Sequence, residues 1–211
     1  MEVLESIMKR QSVRMYEKKD VPNELIGQML IAAVKAPSAG NVQPWEFIVV
    51  KDNKIKKELS LASLKQKHIE DASTVIVVCA NLEKSADKYG DRGKTLYCIQ
   101  DTAAAIENML LVATSLELGT CWVGAFEEGK VKSILNIPER LRPMALITVG
   151  FPVSYVKNNK TLRRQFENVT YSEKYGEGLK WIDKDTKEWR FKITPLGDQI
   201  KKVKERITEK K

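Results

Sequence analysis

Two guanidinium groups and a hydroxyl fall within five residues in Arg10-Gln11-Ser12-Val13-Arg14. In extended backbone Arg10, Ser12 and Arg14 share one side, and arginine donors match phosphate oxygens in a fixed forked geometry. The spacing suits an anion grip, with a solvated basic turn as the plain alternative. A second stretch, Ala36-Pro37-Ser38-Ala39-Gly40-Asn41-Val42-Gln43-Pro44-Trp45, combines small residues, two prolines and two carboxamides directly ahead of an apolar run. A flat ligand could approach this backbone closely, and Asn and Gln supply both donors and acceptors. The plain alternative is a structured connection from helix to strand. A third stretch, Leu118-Gly119-Thr120-Cys121-Trp122-Val123-Gly124-Ala125-Phe126, sets glycines around a strand end, where a bare amide can face a ligand atom.

Other chemistries lack their residues. The chain has one histidine, His68, and no GxGxxG, GxSxG, HExxH, CxxC or P-loop pattern, so hydrolase and dinucleotide-fold readings are weak. His68 has no partner nearby in sequence and reads as a structural or surface residue. Cys79, Cys98 and Cys121 are widely spaced inside apolar stretches, which predicts buried thiols rather than a disulfide framework or a metal cluster. The net charge of +8 fits either nucleic acid or a phosphorylated cofactor. Much of the excess lies in the closing run KKVKERITEKK, which reads as a solvated helix face. Neither a nucleic-acid nor a membrane partner is expected. Without a long apolar window or a leader-like N-terminus, a soluble cytoplasmic protein is expected.

The elements that must position these residues follow from periodicity. The 211 residues, 43% hydrophobic and 30% charged, suit one domain with a full core. Apolar spacings of three and four predict helices over 2–10 and 22–36, bracketing the loop QSVRMYEKKDV. Two strands, 45–51 and 73–80, are expected to be fully buried, with a charged helix over 54–64 between them. The longest helical pattern, 95–118, is rich in alanine and leucine and makes a candidate subunit contact. A strand over 119–123, a short helix over 128–135, Pro138 as a breaker and a strand over 144–151 follow. The more polar remainder reads as an extended arm, with a strand at Trp189, Phe191 and Ile193 and a last helix carrying Leu196, Ile200, Val203 and Ile207.

Taken in this order, RQSVRMY, APSAGNVQPWEFIVV and LELGTCWVGAF resemble the FMN-binding motifs of the nitroreductase family, over about residues 2–175. The resemblance implies an α+β fold, a central mixed β-sheet flanked by helices with an extended C-terminal arm. Residues 1–175 would form the FMN-binding domain, and 176–211 an arm and amphipathic helix of the same domain. It implies FMN and NAD(P)H as cofactors, a homodimer with FMN at the interface, and a small-molecule electron acceptor. Arg10 and Ser12 would lie at the flavin phosphate with Gln11 beside them, and Arg14 near N1 and O2 of the ring. Pro37, Ser38, Ala39 and Asn41 would reach the ring and ribityl chain from the partner subunit, and Gln66 would meet the pyrimidine edge. The amides of Val123 and Gly124 would face N5 and O4. Arg163, with Arg164, looks like a second basic element at the phosphate, although Thr161 and Gln165 depart from the family's proline-rich form. Such an enzyme would pass electrons from NAD(P)H to nitroaromatics or quinones by a ping-pong route, with no catalytic side chain and no metal. The alternatives are a dehalogenating or flavin-fragmenting branch of the same fold, or a flavin- or nucleic-acid-binding protein without turnover.

Overall fold

A computed structural model describes residues 2–153 and 162–179. The chain divides into two compact units, residues 1–157 and 158–211. In the first, helices α1 (Val3–Lys9) and α2 (Asn23–Ala33) precede strand β1 (Trp45–Val50), helices α3 (Asn53–Ala62) and α4 (Lys67–Asp71), and strand β2 (Thr74–Asn81). Helix α5 (Leu82–Arg92) passes through a wide π turn, Gly93–Tyr97, into α6 (Cys98–Ser115); β3 (Gly119–Val123), α7 (Glu128–Leu135) and β4 (Leu141–Gly150) complete it.

The four strands form one sheet in the order β1-β2-β4-β3, and each of the three ladders is antiparallel. Among the described residues, parallel pairing is confined to an isolated bridge between Ser12 and Thr120. The class is therefore α+β, as the resemblance implies, but the sheet is antiparallel rather than mixed. Strand β2 is apolar at nearly every position because both its faces are covered. Ile76 and Val78 pack with Ile26, Met29, Ile106 and Met109 of α2 and α6. Val75 and Val77 pack with Leu59, Ile69 and Val131 of α3, α4 and α7. This explains a continuous hydrophobic run where a half-exposed strand would alternate.

Strand β1 corrects an expectation. It was expected to be fully buried, but it is an edge strand, leaving Glu46 exposed and Val49 41% exposed. Its β-branched content reports a pleated surface rather than burial on both faces. Strand β4 begins three residues before its predicted start and includes Pro143. The register shifts between Val78 and Cys79, where Pro143 lies opposite Cys79, and proline in a strand is at home at such irregularities. Helices α4 and α5 were not read from the sequence. The first is five residues long, and the second is polar and broken at Gly90 (φ 55°), although Asn81 caps it by accepting from the Lys84 N–H.

In the second unit the described residues include a 3-10 turn, Phe166–Asn168, closed where Arg164 donates to the Asn168 carbonyl at 2.9 Å. The strand and helix expected over 188–207 lie outside the described residues. Among the described residues no helix is long and apolar enough to cross a membrane.

Candidate functional site

The segment Arg10–Arg14 runs along the free edge of β3. The Val13 N–H donates to the Thr120 carbonyl at 2.8 Å, beside the Ser12–Thr120 bridge. Val13 and Tyr16 turn inward, leaving Ser12 and Arg14 exposed and Arg10 half-buried. The Tyr16 hydroxyl bonds to the Val13 carbonyl at 2.6 Å and meets the Thr148 hydroxyl at 2.7 Å, tying the segment to β4. Two glycines permit the approach. A Cβ on Gly119 would stand 2.8 Å from Val13 Cγ1, and one on Gly150 would stand 2.7 Å from the Tyr16 ring.

Arg10 caps α1 and its Nε lies 4.0 Å from Glu107 Oε1, a contact on α6 loose enough to give way to a better anion. Arg14 stands among Tyr16, His68 and Cys121, each of which feels its charge. Burial pushes the Cys121 thiol up, and Arg14 and the Ser12 hydroxyl only partly offset it, so the sulfur stays protonated and unreactive. All three cysteines are free and buried, as expected from their apolar settings; burial also pushes Cys79 up to about 12.

Gln66, just before α4, donates its side-chain amide to the Ala125 carbonyl at 3.1 Å. That bond brings its carboxamide to the end of β3, where Val123 is buried and Gly124 is exposed with nothing within 4 Å of its missing Cβ. Arg14, Gln66, Val123 and Gly124, up to 110 positions apart, therefore share one edge of the sheet. His68 belongs to this neighbourhood although the sequence suggested only a structural or surface role. It is 8% exposed, its Nε2 has no hydrogen-bond partner, and burial first and Arg14 second pull its pKa down against the pull of Asp71.

The stretch 37–41 is elsewhere. It precedes β1, on the opposite edge of the sheet from β3, three strand spacings away, or about 14 Å across. Ala39–Asn41 forms a 3-10 turn whose Ala39 N–H donates to Asp101 Oδ1 of α6 at 2.9 Å. Pro37 and Asn41 are exposed, and Ser38 and Ala39 half-buried. Arg163 is exposed in the second unit.

A model of the nitroreductase family matches residues 7–67 and 59–151. The chain belongs to the nitroreductase family. A relative from Archaeoglobus fulgidus, provisionally named an NADH dehydrogenase/NAD(P)H nitroreductase, is 38% identical over 155 residues, covering 72% of this chain and 86% of its own. An FMN reductase (NADPH) of Bacillus subtilis is 26% identical over 184 residues, covering 80% of this chain and 74% of its own. The crystal structure of a nitroreductase family protein from Clostridium novyi NT superposes with a TM-score of 0.68 at 33% identity, covering 84% of this chain and 97% of that one.

Two groups of this family member escaped the sequence reading. Asp101 sits near the start of an alanine-rich helix between Gln100 and Thr102, where a buried acid has no distinguishing sequence signal. Lys88, which bonds the Gly40 carbonyl at 2.7 Å, was hidden in a charged stretch with no periodicity.

Proposed function

We propose that this nitroreductase-family oxidoreductase holds FMN between two copies of the chain and passes electrons from NAD(P)H to small acceptors such as nitroaromatics or quinones. The observation that carries the reading is the gathering of Arg14, Gln66, Val123 and Gly124 at the β3 edge beside Ser12. The donor set fits the cofactor. Arg10 and Ser12 offer a charged fork and a hydroxyl for the phosphate, with Gln11 between them. Gln66, steadied by Ala125, turns a carboxamide to a ring edge that presents both donors and acceptors. Gly124 leaves its backbone open to close approach.

A ring held against Arg14 and Gln66 is out of reach of the same chain's Pro37, Ser38, Ala39 and Asn41, across the width of the sheet. A second copy would supply them. Exposed apolar side chains support such a partner: Val3 and Ile7 on α1, Ile31 on α2 and Val34 at its C-cap. A groove of about 310 Å³ between α1, α2 and α6 lies on the same side, lined in part by Val3, Ala32 and Val112.

Bound FMN supplies the two-electron carrier for a ping-pong exchange between nicotinamide and acceptor. The protein orients, excludes water and sets charge. Arg14 places a fixed cation where reduction adds electron density. His68 stays neutral beside it, so that charge remains single. Purification and mass spectrometry of the released cofactor test the proposal: FMN at one per chain is expected. FAD, or a colourless protein that does not take up FMN, overturns it.

A further inference from the structure

The turn ahead of β1 runs through left-handed backbone that Gly40 and Asn41 adopt readily and Gln43 does not. Gly40, Asn41 and Gln43 all have left-handed backbone, with φ of 51°, 58° and 52°. For a side chain as long as glutamine this conformation is uncommon and persists only where the surroundings over-determine it. They do so from two helices. Asp101 of α6 accepts from the Ala39 N–H at 2.9 Å. From α5, Lys88 Nζ donates to the Gly40 carbonyl at 2.7 Å and Lys84 Nζ to the Gln43 carbonyl at 3.1 Å. Ser38 closes the loop by accepting from the Gln43 N–H at 3.0 Å. The Lys88 ammonium and the Tyr89 hydroxyl occupy the space a Cβ on Gly40 would need.

Asp101 is a poor choice for stability. It is 6% exposed, and its second oxygen, Oδ2, is buried without a hydrogen-bond partner. A half-satisfied buried carboxyl disfavours the folded state, and burial accordingly raises its pKa despite the bond from Ala39. Structure that is costly for the fold and specific for one backbone amide is expected where that amide has work to do.

We propose that Asp101 and Lys88 are positioning residues that pre-set the turn Ala39–Asn41 for the flavin held by the other copy of the chain. The inference rests on the flavin reading above. Neither side chain touches the ligand. Asp101 fixes the amide side of the turn and Lys88 the carbonyl side, leaving Ser38 and Asn41 to meet the ring and ribityl chain without reorganisation. Preorganisation of this kind appears as binding affinity, because the ordering is complete before the ligand arrives.

FMN titration of the full-length apoprotein, followed by flavin fluorescence and visible spectrum, tests it on Asp101→Ala, Asp101→Asn and Lys88→Met, with Arg10→Ala alongside. Asp101→Ala is expected to weaken FMN binding roughly tenfold, the scale of one hydrogen bond to a charged group. Asp101→Asn, whose amide oxygen can still accept from Ala39, should stay within about threefold of the parent. Lys88→Met, on an exposed helix face, should lose about threefold and keep the parent melting temperature. If Asp101→Ala does not fold, Lys88→Met decides. Binding unchanged in both Lys88→Met and folded Asp101→Ala, or Asp101→Asn as weak as Asp101→Ala, overturns the positioning role. Arg10→Ala separates the two levels. If it loses affinity while the turn variants do not, only this inference fails; if the parent itself takes up no FMN, the flavin reading has failed.

Discussion

Arg10 and Arg14 lie four residues apart, yet their surroundings give them different work. Arg10 leans toward Glu107 on α6, whereas Arg14 stands among Tyr16, His68 and Cys121 at the end of the segment nearer Gln66. A charge-assisted phosphate contact contributes about 1.5–3 kcal/mol, so Arg10→Ala should weaken FMN by about tenfold to a hundredfold. Any flavin still bound should reduce much as before. Arg14→Ala should instead lower the two-electron potential of bound FMN, because removing a cation beside the ring disfavours the added negative charge more than the oxidised ring. Redox-dye titration checks it; an unaltered potential would move Arg14 from the ring to the phosphate. His68 gives a separate signature in stability. Burial and Arg14 depress its pKa below 6.5, so the unfolded chain takes up a proton that the folded one refuses. Its neutral form therefore supports the fold fully above pH 6.5, and that support drains away as the pH falls below it. As the only histidine in the sequence it can be assigned directly: urea midpoints of the parent should drop between pH 7 and pH 5, and His68→Gln should flatten that slope. Equal slopes in both proteins would show that His68 is not the titrating group.

At the scale of elements, segments bounded by clear breakers were legible. Strand β3 and helix α7 fall on their predicted residues, 119–123 and 128–135, because glycine and proline punctuate both. The helix expected over 95–118 is there as α6, shortened at its front by a π turn that periodicity cannot foresee. Edge position was not legible in β1, since which strand lacks a neighbour is decided by sheet order, not by composition. In the candidate site, Arg14 was recognised by type and Gln66 only through the family resemblance, and the Gln66 to Ala125 bond that brings them to one edge depends on tertiary contact. Gly119 shows how tightly that edge is set. An added Cβ meets Val13 Cγ1 at 2.8 Å and Cβ at 2.9 Å, both on a stiff, buried, β-branched residue. Gly119→Ala should therefore cost about 1–3 kcal/mol by overpacking and pull the Arg10–Arg14 segment off β3. Chemical denaturation and FMN titration should both register it, and a variant with parent stability and affinity would show that the segment shifts freely.

At the scale of the molecule, the two groups of candidate site residues belong to opposite edges of one sheet, and exposed apolar side chains stand on α1 and α2. If the joining face runs over α1 and α2, then a charge placed there must do two things at once. Ile31 on α2 is 63% exposed, so Ile31→Glu leaves the core of the single chain intact and adds only a charge that pairing would have to desolvate. Light scattering of the parent should report twice 24.0 kDa, and the variant should approach 24.0 kDa. Flavin content should fall with it, because each ring would lose the Pro37–Asn41 turn of the other copy while keeping Arg14 and Gln66 of its own. The coupling of the two losses is the decisive readout. A monomeric variant that retains one FMN per chain would mean the site closes within a single copy, and an Ile31→Glu dimer as tight as the parent would place the joining face elsewhere on the molecule.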